Sequence, residues 1–249
     1  MAKKITFVCI GSESLGIEYL SSVLKQKGHK VNLVFDPSLF DDKYWLHIPF
    51  LYKLFDKKKK IIDKIINSKP DFIAFSVITD TYQRCCQLAK ELKKRSNAKI
   101  IFGGIHPTSV PEQVIMKQFV DYVVVGEGED ALLDLVEGKQ DAGNIWFKNN
   151  NGIVKNEVRP LIKNLDEIPF PDKELFNKYI PHNKSYSIMT SRDCPFNCHY
   201  CCNSILHRLY GFLNRKRSPQ NVLEELKWAK ERFNFKQVFF LDDTFSSNK

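Results

Sequence analysis

The sequence predicts an α/β protein built on a doubly wound parallel sheet, and three observations predict it. Short apolar runs alternate with helix-periodic segments through residues 5–136. The carboxyl ends of those runs are rich in glycine, serine and threonine. The run at residues 71–78 is almost continuous in apolar residues, as a central strand covered on both faces requires.

Residues 5–10 form the first expected strand, and residues 12–27 show helical spacing through Leu15, Tyr19, Leu20, Val23 and Leu24. Gly28 and His29 end that helix, and residues 31–35 read as a second strand closing on Asp36 and Pro37. Residues 38–55 are aromatic-rich and irregular, with Tyr44, Trp45, Phe50 and Tyr52. A helix with one lysine face is expected over 57–67, then the strand at 71–78 and a helix over 79–95. The latter carries Cys85 and Cys86, which project about 100° apart and so read as packing residues. Strands at 99–102 and 121–125 follow, with a short helix opening at Pro111 and another over 130–136.

Doubly wound sheets bind ligands at the carboxyl ends of their strands, and there the chain places Gly11-Ser12, Ser76 with Thr79, Gly103-Gly104 and Gly126-Glu127-Gly128. Glycine permits a close backbone approach there, although any strand-to-helix turn favours the same residues. Residues 145–147 and 153–158, around Asn149-Asn150-Asn151-Gly152, read as a hairpin, and 161–171 as an extended linker held out of helix by its prolines. The expected division is 1–143, a connector over 144–184, and a second unit over 185–249.

With 43% hydrophobic and 27% charged residues in 249, disorder is not the default and one or two cores can be buried. The formal charge of +9 reads as a solvated lysine-rich face, because no stacking-aromatic pattern accompanies it. Nucleic acid is therefore not the expected partner, and a nucleic-acid modifier rests on charge alone. Seven cysteines, mostly clustered, argue for metal ligands in a reducing compartment and not for a disulfide framework. No apolar run approaches the roughly 18 residues of a membrane span, and no cleavage-site pattern follows the amino terminus. A soluble, cytoplasmic protein is expected.

The most specific signal is Cys194, Cys198 and Cys201, spaced C-x3-C-x2-C with Tyr200 before the third. Three thiolates on one loop suit three irons of a [4Fe–4S] cluster and leave the fourth iron open. The alternative is a zinc knot drawing on Cys194, Cys198, Cys201 or Cys202 with His199 or His207, though a second knuckle is missing.

This motif resembles that of radical S-adenosylmethionine (radical SAM) enzymes. The resemblance implies that the three cysteines ligate the cluster, that SAM chelates the fourth iron, and that Tyr200 lies against its adenine. The family more often has glycine where this chain has Asp193. Gly-Gly-Ile-His-Pro-Thr at 103–108, then Pro111 and Val-Gly-Glu-Gly-Glu at 125–129, resemble the Rossmann-like cobalamin (B12)-binding domain found ahead of radical SAM barrels. That likeness implies a corrinoid whose nucleotide tail lies beside Ser76, Thr79, Gly103 and Gly104, with Gly126, Glu127 and Gly128 nearby. No D-x-H-x-x-G follows the first strand, so no histidine ligand to cobalt is expected from it, and His106 reads as a turn residue.

Asn-Leu-Asp-Glu-Ile-Pro-Phe-Pro at 164–171 is similar to the stretch before many such barrels. Residues 186–190 are then the first strand of a partial (β/α) TIM barrel, with the cysteine loop at its carboxyl end. Ser218-Pro219 starts a helix, and 237–241 form the second strand, ending in Asp242 and Asp243, which the likeness places near SAM. Arg208, Arg215, Lys216 and Arg217 read as an exposed basic loop, with SAM or corrinoid contact as the alternative.

A whole barrel of this kind needs on the order of 200 residues, so the chain reads as the amino-terminal portion of a longer enzyme, not expected to turn over substrate alone. The implied activity is B12-dependent: reductive cleavage of SAM to a 5′-deoxyadenosyl radical, then methyl transfer to an unactivated centre, while some family members perform rearrangements. The implied partners are a small-molecule, natural-product or lipid-like substrate and an electron donor such as flavodoxin or ferredoxin. A non-catalytic cobalamin- or zinc-binding carrier or sensor is the reading from another class.

Overall fold

The computed structural model describes residues 1–38, 41–42 and 46–246. The chain runs β1 (Lys4–Ile10), α1 (Leu15–Gln26), β2 (Lys30–Asp36), β3 (Asp41–Asp42), β4 (Leu46–His47), α2 (Pro49–Phe55), α3 (Lys58–Asn67), β5 (Phe72–Ser76), α4 (Tyr82–Arg95), β6 (Lys99–Gly103), α5 (Ile105–Ser109), α6 (Pro111–Ile115), β7 (Tyr122–Val124) and α7 (Glu129–Val136). It continues through β8 (Ile145–Asn149), β9 (Gly152–Lys155), α8 (Glu174–Asn177), β10 (Ser185–Ile188), β11 (Ser191–Arg192), α9 (Asn203–Tyr210), β12 (Arg215–Lys216), α10 (Pro219–Phe233) and β13 (Gln237–Phe240).

Seven strands form one sheet in the order β2-β1-β5-β6-β7-β8-β9, its first five members parallel and the last two antiparallel. Period-two alternation sorts their side chains. Val8, Ile73 and Phe75 pack under α3 and α4, while Phe7, Ala74 and Ile101 pack under α1 and α7. From β1 the chain winds one way to β2 and the other way through β5, so the order reverses between β1 and β5. A crevice opens outside the carboxyl ends of strands at such a reversal.

Three expectations change here. The hairpin read as part of a connector is hydrogen-bonded to β7 and extends the sheet, with Val124 opposite Ile145. Residues 38–55, read as irregular, contain α2, in which Phe50 is exposed; Tyr44 and Trp45 lie outside the described residues. Residues 105–109 form a helix that the sequence reading left out. Pro107 sits in its first turn, where a missing N–H costs nothing.

Beyond the sheet, β10 and β13 pair in parallel and are joined by α10, one βαβ unit. Tyr186, Ile188, Ala229 and Phe233 form its core. Ser218 caps α10 by accepting from the Asn221 N–H at 3.1 Å. Arg217, read as exposed, turns its side chain inward, 6% exposed: its guanidinium lies 2.5 Å from Glu225, which also accepts from the Tyr186 hydroxyl at 2.8 Å. A charge carried beneath α10 requires such a partner.

The segment joining the two units is stitched to α1. Ser22 donates to the Phe170 carbonyl at 2.6 Å, and the Lys173 ammonium, wholly buried, lies 2.7 Å from Glu13 and 2.8 Å from Glu18. Burial raises the Glu18 carboxyl well above its usual range. It works the same way on Glu13, where the Lys173 charge outweighs it and holds that carboxyl low. His182 hydrogen-bonds the Lys173 carbonyl through Nε2 and stands edge-on to Phe233.

Burial, with Lys173 adding to it, holds the His182 pKa below its usual 6.5 against the pull of Glu13 and Glu174. A group whose folded pKa is depressed contributes stability above its unfolded pKa, and that contribution is lost as pH falls through the folded value. The His182 contribution should therefore be lost between about pH 7 and pH 5, while Glu18, with its raised carboxyl, acts in the opposite direction over the same range. Between about pH 7 and pH 5 the denaturation midpoint of a His182→Asn variant should fall less, or rise more, than that of wild type, with His106 and Glu18 contributing equally to both proteins; the same change in the two would place the effect elsewhere.

Candidate functional site

At the carboxyl ends of β5, β6 and β7 a slot of about 150 Å³ opens between the sheet and helices α1 and α7. Its walls are Phe7, Leu20, Ala74, Ile101, Val124 and Leu132, and its mouth is Ser76, Gly103, Gly104, Gly126 and Gly128. A dry cavity of that size accepts one flat ring. A wider cleft of about 400 Å³ shares Gly16, Gly104, Gly126 and Glu129 with the slot and runs on to Asp193, Arg215 and Asp243.

The glycines are there for steric reasons. Gly104 has φ +99°, and a Cβ on it would lie 3.0 Å from both N and O of Val77. Gly126 has φ +80°, and the space a Cβ would take holds the Tyr210 hydroxyl. The Gly126 N–H donates to Thr108 Oγ1 at 2.9 Å, and buried Asn144 donates to the Val125 carbonyl at 2.6 Å.

The cysteine loop springs from β11, which pairs with β12. Cys194 is buried, Cys198 exposed and Cys201 intermediate, and all three are free thiols. The Cys201 N–H donates to the Cys198 carbonyl at 3.0 Å, turning the chain into α9. Residues after β13 meet this loop at three points. Cys194 Sγ lies 3.1 Å from Thr244 Oγ1, Asn203 donates to Asp243 at 2.9 Å, and Asp242 Oδ1 accepts from the Thr190 N–H at 3.0 Å and from the Thr190 and Ser191 hydroxyls. The other Asp242 oxygen is buried without a hydrogen-bond partner. His207, a zinc ligand in the alternative reading, already donates Nε2–H to the Cys194 carbonyl at 2.7 Å.

Five charged groups join the glycine loop to the cysteine loop. Arg192 spans Glu127 at 2.9 Å and Glu129 at 2.6 Å. Arg215 holds Asp193 through Nε at 2.7 Å and Nη2 at 3.1 Å, and reaches Glu127 at 2.8 and 3.1 Å. Burial disfavours the charge on Glu127, but the hydrogen bond from Arg215 and the charges of Arg192 and Arg215 outweigh it and hold its carboxyl below the usual range. Burial likewise opposes the charge on Arg192, and Glu129 and Glu127 more than offset it. Arg215, read from sequence as part of an exposed loop, is 10% exposed; Arg208 is exposed as expected.

Asp193 has φ +74°. Glycine is the residue that adopts this conformation without cost, and this chain offsets the strain with the carboxylate's two bonds to Arg215.

The structure gathers Ser76, Gly103, Gly104, Gly126 and Gly128 around one slot, and Glu127 and Asp243 around the adjoining cleft. Thr79 is exposed and pairs with His106 Nδ1 at 3.1 Å, away from the lining of either. Tyr200, at 94% exposure, lies outside both linings. Cys85 is buried, and burial pushes its thiol up to about 12, in keeping with packing. Sequence reasoning passed over Tyr210, Asn144, Arg192 and Thr244, which belong to no spacing pattern and acquire partners only through the fold.

A B12-binding domain model matches residues 11–136, just over half of the chain. The uncharacterized methyltransferase PH0819 of Pyrococcus horikoshii is 33% identical over 246 residues, covering 94% of this chain and 50% of that protein. The anaerobic magnesium-protoporphyrin IX monomethyl ester cyclase of Rubrivivax gelatinosus is 29% identical, covering 85% of this chain and 38% of that one. The chain thus spans half or less of the length of these relatives. Among solved structures, the cobalamin-dependent SAM radical enzyme OxsB, with aqua-cobalamin and SAM bound, superposes with a TM-score of 0.75 at 20% identity, over 98% of this chain and 34% of that one. That likeness shows a shared fold.

Asp193→Gly and Asp193→Ala both remove the carboxylate that Arg215 holds, but only alanine keeps a Cβ in the left-handed region. The glycine variant should be the more stable of the two by about 1 kcal/mol in urea unfolding; equal stabilities would mean that the left-handed conformation carries no cost here.

Proposed function

Because the chain belongs to the B12-binding domain family, we propose that it is the cofactor-binding portion of a B12-dependent radical SAM enzyme that transfers a methyl group to an unactivated substrate centre. The observation that carries the reading is a shared wall: one cleft runs from Gly104 and Gly126 to Asp193, the residue before Cys194, and to Asp243. A ligand of the B12-binding half and a ligand of the cysteine loop would face each other across it.

The residues present suit the groups. The ring-sized slot between Gly104 and Gly126 fits a nucleotide base at the end of a tail, and the wider cleft suits a macrocycle. Ser76, Gly103, Gly104, Gly126 and Gly128 would hold them, by backbone approach more than by charge. Three free thiols on one loop are the donor set of an iron–sulfur cluster, and Cys194, Cys198 and Cys201 would hold it. Bound together, a reduced [4Fe–4S] cluster, SAM and methylcobalamin supply a 5′-deoxyadenosyl radical and a transferable methyl group.

The chain's own groups prepare the site. Thr244 places a hydroxyl against the Cys194 sulfur, the kind of contact that orients a thiolate ligand. Asp242 anchors Thr190 and Ser191 at the root of the loop and keeps one oxygen for a donor on SAM. Exposed Asp243 and Tyr200 are the remaining contacts this reading gives to SAM, on the amine or hydroxyl side and the adenine side respectively. The substrate would be a small molecule, natural product or lipid-like compound, and electrons would come from a flavodoxin or ferredoxin. The match to a cyclase supports a second outcome, ring formation with the same parts.

Anaerobic reconstitution tests the proposal. It should yield about four irons and four sulfides per chain and a brown colour, both lost in Cys198→Ala. Hydroxocobalamin should bind wild type and should bind Gly104→Val weakly, since a side chain there collides with the Val77 backbone, strains the left-handed conformation and so displaces the mouth of the slot. Stoichiometric zinc without colour would sink the radical reading, and equal corrinoid binding by the two proteins would sink the slot.

A further inference from the structure

Resting on that reading, we infer that Glu127 is a positioning residue: its carboxylate fixes the cysteine loop to the glycine loop, so that a ligand seated at Gly126 is felt at residues 194–201.

The carboxylate has no bonding capacity left for a cofactor. Oε1 accepts from Arg192 at 2.9 Å and Arg215 at 2.8 Å, and Oε2 accepts from Arg215 at 3.1 Å and from the Ile162 N–H at 3.1 Å. A carboxylate offers about four acceptor sites, and all are used. Its donors lead directly to the cysteines. Arg192 stands two residues before Cys194, and Arg215 also grips Asp193, the residue adjoining it.

The opposite flank is held through the backbone of the same residue. The Glu127 N–H donates to the Tyr210 hydroxyl at 3.3 Å, and Tyr210 ends α9, which begins two residues after Cys201. That hydroxyl fills the space beside Gly126 where a Cβ would stand. One residue therefore grips the chain both before and after the cysteine loop. A group that displaces the backbone at Gly126 must push on Tyr210, while the carboxylate transmits the shift to Arg192 and Arg215. All five charged groups are at most 17% exposed, and Glu127 is the acceptor that Arg192 and Arg215 share. An amide in its place turns an NH2 group toward donors already there, so the link between the two loops opens although Glu129 and Asp193 still balance the two arginines.

The test is hydrogen–deuterium exchange on the full, cluster-free chain, with hydroxocobalamin as the probe. Wild type is compared with Glu127→Gln and with Glu112→Gln, a control whose partner Lys155 lies on the surface. Without cobalamin, Glu127→Gln should speed exchange across residues 193–203 by about tenfold or more, and the control should not. With cobalamin, wild type should slow exchange at both 126–129 and 193–203, whereas Glu127→Gln should keep the first effect and lose the second. A purely structural residue would not separate the two segments in this way.

Equal ligand-free exchange at 193–203 in wild type and Glu127→Gln overturns the inference whether or not cobalamin binds. Protection confined to 126–129 in cobalamin-bound wild type overturns the coupling. Failure of wild type to bind cobalamin counts against the functional reading, and the ligand-free comparison still decides the role of Glu127. Should Glu127→Gln not fold, Arg215→Lys serves in its place: it keeps the charge, loses the forked geometry and should speed exchange at 193–203 in the same direction.

Discussion

A wholly buried ammonium is the constraint on which the arrangement of the two units depends. Lys173 lies between Glu13 in the loop joining β1 to α1 and Glu18 on α1, with the Tyr186 ring of β10 5.0 Å away. Removing an ammonium from water costs several kcal/mol, so this charge is tolerated only where carboxylates already converge. The backbone around it thereby acquires one acceptable position. Since residues 164–182 lead directly into β10, that position decides where the βαβ unit stands against the sheet.

With the units so placed, the cleft between them brings together parts of the chain far apart in sequence. The loop after β7 supplies Glu127, the start of α7 supplies Glu129, and the strand pair β11–β12 supplies Arg192 and Arg215. Surface pairs of this kind contribute little, because water screens them and long side chains lose entropy. These are shielded, forked and mutually shared, a geometry in which guanidinium–carboxylate contacts specify position as well as hold it. The glycines alongside act by absence: Gly104 lets the chain pass close to the Val77 backbone, and Gly126 leaves room for the Tyr210 hydroxyl.

Much of the sheet was legible in the sequence because apolar runs punctuated by glycine are a local signal, and β1, β5 and β6 fell within two residues of their expected limits. The cysteine spacing was legible for the same reason. The hairpin at β8 and β9 was recognised as a hairpin but not as sheet, since nothing local states that Ile145 will face Val124. Arg215 and Arg217 look in sequence like a basic loop, and only the fold brings Glu127, Asp193 and Glu225 beneath them. Asp193 offered a partial clue, an acidic residue where the family resemblance led us to expect glycine, and its meaning needed the backbone angle. Tyr210 offered none.

The sharing of Glu127 between two arginines from the other unit limits how freely the halves of such proteins can be exchanged. A chimera that grafts the sheet unit of one relative onto the barrel unit of another inherits one side of a five-charge set without the other. Where the replacement lacks an acid at the middle of the glycine loop, Arg192 and Arg215 lose the one acceptor they share, and each is left with a single carboxylate that does not join the two units as Glu127 does. Transplantable boundaries are therefore drawn around Glu127, Glu129, Arg192, Asp193 and Arg215 as a group, and not at the linker between the units.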